Sequence, residues 1–123
     1  MKTMFLALGL VALSTAGAFA AEPAKMMDSP SGKMLVTPKG MTLYTFDKDM
    51  GGKSSCDAQC LKMWPAFHAE KASKADTDFS VVKAMDGKDM WAYKGMPLYR
   101  YHEDMKKGDA KGDGKGGVWH VVK

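Results

Sequence analysis

Arginine is almost missing from this chain: Arg100 is the only one, and the other 17 of its 18 basic residues are lysines. Sequence-specific nucleic-acid recognition leans on the bidentate arginine fork, so nucleic acid is excluded as a partner. Removing Lys2 with the leader described below leaves 17 basic against 14 acidic residues, a net charge of about +3. That balance permits weak attraction to anionic surfaces without demanding it. The lysines are spread among aspartates along the loops and read as a solvated face.

Long apolar runs are also lacking. The one notable run, Phe5 to Leu13, follows Lys2 and precedes small residues ending in Ala18-Phe19-Ala20. This order is that of a secretory signal peptide over residues 1–20, cut after Ala20. The run is too short for a membrane helix, and nothing downstream approaches the ~18 apolar residues a span requires. Position 21 holds Ala21 rather than the cysteine that carries a lipid anchor, so the expected product is periplasmic or secreted and not lipidated. Loss of 20 of the 123 residues leaves 103, enough for one small domain, expected to be monomeric, with a modest margin of stability.

Catalytic and cofactor signals are sparse. The three histidines, His68, His102 and His120, stand with scattered serines in no recognisable elbow or triad, so no enzyme is expected. Asp47 and Asp49 begin like a calcium loop, but Ala58 occupies the twelfth position; Asp109 to Asp113 fails likewise, with His120 there. Covalent haem requires a histidine directly after the second cysteine, and Leu61 is there instead. Neither calcium nor haem is expected.

Cysteine is limited to Cys56 and Cys60, both in the exported part, where thiols oxidise. An intramolecular disulfide is the first expectation. Residues four apart in a regular helix have Cβ atoms too distant for easy bridging, so a distorted turn is expected there, with regular helix from about Cys60. The alternative is an envelope copper-binding or redox-relay protein. It uses Cys56 and Cys60 as thiolates with His68 or His102, in a mature chain keeping ten of the 12 methionines once Met1 and Met4 are removed. Half of these methionines have a plainer role: Met34, Met41, Met85, Met90 and Met96 fall on or beside strands, where packing accounts for them.

What the chain does contain is strand and turn chemistry. Residues 21–32 are polar and small and read as a disordered leader, with one domain over 33–123. Leu35-Val36-Thr37 and Met41 to Phe46 flank the turn Pro38-Lys39-Gly40. Ser54 or Ser55 caps a short helix around residues 55–63, with Asp57 in its first turn and Pro65 closing it. Ala69 to Asp78 reads as loop. Phe79 to Met85, Met90 to Tyr93 and Pro97 to His102 read as strands joined at Asp86-Gly87-Lys88 and Lys94-Gly95. Val118 to Val122 supplies a last strand after a glycine and lysine loop. The expected fold is mainly β: about six antiparallel strands in hairpins and one short helix.

An internal two-fold repeat underlies this order. Gly40-Met41-Thr42-Leu43-Tyr44-Thr45-Phe46 recurs as Gly95-Met96-Pro97-Leu98-Tyr99-Arg100-Tyr101, and each copy has an aspartate three residues after its second aromatic. Tyr44, Phe46 and Asp49 thus match Tyr99, Tyr101 and Asp104. Strand alternation puts each aromatic pair on one face and each aspartate at a turn. One reading is structural, aromatics in the core and aspartates holding turns through backbone N–H groups; the other is a shared ligand surface.

These repeats, the Cys56 and Cys60 pair before Trp64-Pro65, the strand Trp91-Ala92-Tyr93 before Lys94-Gly95, and the closing Gly117-Val118-Trp119-His120 resemble one known family. It comprises small secreted proteins and predicted lipoproteins carrying a Tyr-x-aromatic-x-x-Asp motif, the secreted repeat of unknown function. The resemblance runs from about Lys33 to Val122 and implies compartment and domain type, not a reaction. The expected function is accordingly a non-enzymatic binding or envelope-associated module, its partner an envelope protein or small ligand.

Overall fold

Glycine-bearing turns cut the chain into short strands. The computed structural model describes residues 23–30, 32–70 and 78–123 and holds seven strands among them. They are β1 (Lys25–Ser29), β2 (Gly32–Val36), β3 (Tyr44–Phe46), β4 (Phe79–Lys83), β5 (Asp89–Tyr93), β6 (Met96–Pro97) and β7 (Trp119–Val121). Helix α1 (Ala58–Met63) lies between β3 and β4. All strand pairs are antiparallel: β1 with β2, β3 with β7, and β4-β5-β6 as a three-stranded sheet. The expected signal segment and cleavage position lie outside the described residues, as does most of the expected loop at 69–78.

The turns fall where their residues demand. Lys94 and Gly95 both have positive φ, 50° and 86°, the pattern of a two-residue hairpin turn whose twist matches the flanking strands. Tyr93 and Met96 pair directly across it. The turn at Pro38-Lys39-Gly40 also forms, closed by Gly40 N–H donating to the Thr37 carbonyl at 2.8 Å.

Four expectations need correction. Residues 25–29, read as disordered leader, form β1, with Met27 opposite Met34 and Met26 opposite Leu35. Within residues 24–29 only Ala24 and Met27 turn toward apolar clusters, so the segment has no apolar period to announce it. The helix is capped by Asp57, whose carboxylate accepts from Cys60 N–H at 3.0 Å; the Ser54 hydroxyl is engaged elsewhere. The helix runs regularly from Ala58, because Cys56 lies before the cap and the bridge spans the helix entrance rather than a helical turn. Met85, assigned to packing, stands 57% exposed in the β4–β5 turn.

Two apolar clusters result. The larger gathers Met34, Val36, Tyr44, Cys56, Trp64, Met90, Tyr99, Tyr101 and Trp119; the smaller holds Leu35, Leu43, Phe79, Trp91 and Leu98. Backbone bonds knit the sheets together across them. Leu35 N–H reaches the Val122 carbonyl at 2.8 Å, and Trp91 N–H reaches that of Phe67 at 2.9 Å.

Candidate functional site

The repeated motif meets itself at the centre of the molecule. Tyr44 N–H donates to the Tyr99 carbonyl at 2.8 Å and Tyr99 N–H to the Tyr44 carbonyl at 2.9 Å, the double exchange of an antiparallel pair. Each strand then turns identically: Asp49 N–H bonds the Phe46 carbonyl and Asp104 N–H that of Tyr101, both at 3.0 Å. These turns carry each aspartate toward the opposite copy's tyrosine. Tyr44 Oη donates to Asp104 Oδ2 and Tyr99 Oη to Asp49 Oδ2, both at 2.7 Å.

All four groups are buried, at 0% exposure for the tyrosines and 4% and 5% for Asp49 and Asp104. Their remaining capacity is taken up nearby. Asp49 Oδ1 accepts from Ser55 N–H at 2.6 Å, and Asp104 Oδ1 from Lys111 N–H at 2.9 Å. The Tyr99 hydroxyl meets Ser54 Oγ at 2.5 Å, and the Tyr44 hydroxyl accepts from Gly112 N–H at 3.1 Å. Burial pushes both aspartates above the ordinary carboxylate range, against the lowering effect of the bonds they accept. Burial and the facing carboxylates drive both tyrosines well above the usual phenol value. Hydroxyls so held are not accessible nucleophiles or acids; the geometry locks two turns to two strands.

Around this exchange the rings form one stack. Phe46 lies on Trp119 at 4.2 Å between centroids, Trp119 on Trp64 at 3.8 Å and 3° between planes, and Trp64 on Tyr101 at 4.3 Å. Tyr44 meets Trp64 edge-on and Tyr99 meets Trp119 edge-on, each at 5.2 Å. Every stacked contact in this row joins one copy to the other. Offset stacking and edge contacts each add about 0.5–1.5 kcal/mol beyond area burial, so the row is a large share of the core's cohesion.

The family of secreted repeats of unknown function matches this chain twice, over residues 25–68 and 80–123. The chain belongs to that family. The two matches start 55 residues apart, the interval that separates Tyr44 from Tyr99, and no curated protein and no solved structure matches the chain. The same interval pairs Trp64 with Trp119, so the centre of the ring stack is itself a repeated position. Sequence reasoning tracked the repeat only from Gly40 to Asp49 and missed this pair, although the spacing contained it.

The remaining candidates of this secreted-repeat protein lie apart. Cys56 and Cys60 are joined, with Cα atoms 5.1 Å apart, and Cys56 is fully buried. Their sulfurs are bonded to each other and offer no thiolate in this state. His68 is exposed beside β5, through a bridge with Met90, while His102 follows the ring stack and faces Glu103 at 3.5 Å. His120 Nε2 pairs with Asp47 Oδ2 at 2.8 Å, and Asp47 thus belongs to a surface pair. Sequence reasoning did not find the open groove lined by Thr37, Pro38, Lys39, Met41, Phe67 and Arg100. Neither Lys39 nor Arg100 has an ion-pair partner among the described residues.

Proposed function

We propose that this secreted-repeat protein is an exported, non-enzymatic binding domain, freed by cleavage after Ala20 without lipid attachment. In this reading the Tyr-x-aromatic-x-x-Asp motif builds the scaffold, and the groove at Arg100 takes the ligand. The observation that carries it is the groove's composition: two cationic side chains with no ion-pair partner among the described residues, one of them the chain's sole arginine, beside the apolar surface of Met41, Pro38 and Phe67. Such a surface suits a small ligand with an anionic group on an apolar or aromatic body. The non-enzymatic reading draws support from the motif, whose polar atoms are consumed by one another.

Anilinonaphthalene sulfonate, an anionic aromatic fluorophore, is the probe. The folded protein should bind it saturably and equally well in the presence of a chelator. Arg100→Ala should weaken it by about tenfold, the loss of one charge-assisted bond, with melting unchanged. Binding indifferent to Arg100→Ala would refute the groove. The intact mass of the exported protein should begin at Ala21 with no acyl increment.

A further inference from the structure

Half of the methionines among the described residues are on the surface. Of the ten among the described residues five are exposed: Met26 at 42%, Met63 at 46%, Met85 at 57%, Met50 at 75% and Met105 at 77%. No leucine, valine, phenylalanine, tyrosine or tryptophan among the described residues is exposed to that degree. Scattered exposed apolar residues are ordinary in themselves. Confinement of all of them to one residue type is not, because a hydrophobe tolerated only by chance would be leucine or valine as readily. Packing explains Met34 and Met90, at 2% and 0% exposure, and fails to explain these five.

The repeat sharpens the point. Met50 and Met105 are 55 residues apart, each directly after the buried aspartate of its copy, and each extends into solvent where the residues that follow, Gly51 and Lys106, differ in type. What the two positions retain is the thioether. Thioethers are soft metal ligands and targets of two-electron oxidants. A metal site needs several donors on one ion. These methionines sit on different elements: Met26 on β1, Met50 and Met105 in the turns after the two aspartates, Met63 at the end of α1, and Met85 in the β4–β5 turn. Oxidation takes one sulfur at a time and suits such dispersal.

We propose that the five exposed methionines are sacrificial oxidation sites for a hypohalous acid or a comparable two-electron oxidant. The methionine sulfur gives a lone pair to the chlorine of hypochlorous acid, forming an S–Cl bond as the O–Cl bond breaks and hydroxide leaves. Water then attacks the sulfur, forming the S–O bond as chloride leaves; its two protons pass to hydroxide and solvent, and sulfur has lost the two electrons that chlorine gained. The product is methionine sulfoxide, reversible by methionine sulfoxide reductases. Because these side chains contribute little to either cluster, the fold survives the added oxygen. The only cysteines are already joined and have no free thiol to compete.

The exported protein is titrated with hypochlorous acid below one equivalent per methionine, and sulfoxides are mapped by peptide mass. Met50 and Met105 should oxidise first and at least about tenfold faster than Met34 and Met90, as exposure dictates, with the melting curve unchanged. A variant with all five exposed methionines changed to leucine should melt like the parent but lose most protection of an oxidant-sensitive bystander enzyme. Oxidation that ignores exposure, unfolding as Met50 and Met105 react, or undiminished protection by the leucine variant would overturn the proposal. Stoichiometric copper(I) held by the parent and lost from Met50→Leu/Met105→Leu would overturn it in favour of a metal site.

Discussion

The two copies of the repeat share a centre and differ in how they close it. In both, a tyrosine enters the core, a second aromatic stacks on the tryptophan of the other copy, and an aspartate accepts the other copy's tyrosine. After the aspartate they diverge. The first copy buries Cys56, bridges it to Cys60 and turns into a capped helix. The second runs through a glycine-rich loop in which Gly112 lies against the rings: an added Cβ there would come within 2.5 Å of Trp64 and 3.0 Å of Tyr101. Even the hydrogen bond to the tyrosine differs, through the Ser54 hydroxyl in one copy and directly from Gly112 N–H in the other. Two local solutions therefore hold one invariant arrangement, which locates the structural requirement in the aromatic and aspartate positions rather than in the loops.

If the copies are equivalent at the centre, Trp64→Ala and Trp119→Ala should be equally severe, each costing about 3–5 kcal/mol, as should Tyr44→Ala and Tyr99→Ala. Against a total that is only about 5–15 kcal/mol for domains in general, each variant should be largely or wholly destabilised in urea titration. One tryptophan variant melting like the parent would break the equivalence. Smaller effects should separate the loops. Gly112→Ala, by overpacking the ring stack, should cost up to about 3 kcal/mol. The double change Cys56→Ala/Cys60→Ala should cost about 2 kcal/mol, low because the closed loop is short. Hydrogen exchange should show that loss confined to the first copy's loop and helix.

The smallest effect is on pH dependence. Asp49 and Asp104 both titrate higher in the folded protein than in the unfolded chain, since burial penalises their ionised forms. The folded state then binds more protons over the interval from the ordinary value of 3.8 up to the raised ones. Stability from these two groups is complete below that lower bound and is lost as pH rises through the folded values. Urea midpoints of the parent should show this fall, and Asp49→Asn/Asp104→Asn should flatten it.

Much of this arrangement was legible in the sequence, and the reasons for the gaps are specific. Lys94-Gly95 announced its turn because both positions require positive φ. Strand alternation put Tyr44 with Phe46 and Tyr99 with Tyr101 on one face each, with core and ligand surface both open, and the disulfide was the first expectation from two cysteines in a chain read as exported. β1 was invisible because it is a mostly exposed strand with little apolar pattern. The expected aspartate role was half the story: Asp49 and Asp104 do accept backbone N–H groups, yet their other oxygens cross to the opposite copy. Sequence separations of 60 and 50 residues between those partners leave no local signal. The groove was hidden likewise, since Lys39, Phe67 and Arg100 come together only through the sheet bridges.

The central claim is that each tyrosine serves the other copy's aspartate, and a pair of double-mutant cycles tests it most directly. Tyr44→Phe is combined once with Asp104→Ala and once with Asp49→Ala, and unfolding free energies are measured for every variant. The crossed pair should couple by about 1 kcal/mol or more, the worth of a buried hydrogen bond to a carboxyl group, while the pair within one copy adds to within about 0.5 kcal/mol. Coupling confined to Tyr44 and Asp49, with Tyr44 and Asp104 additive, would contradict the exchange and the account built on it.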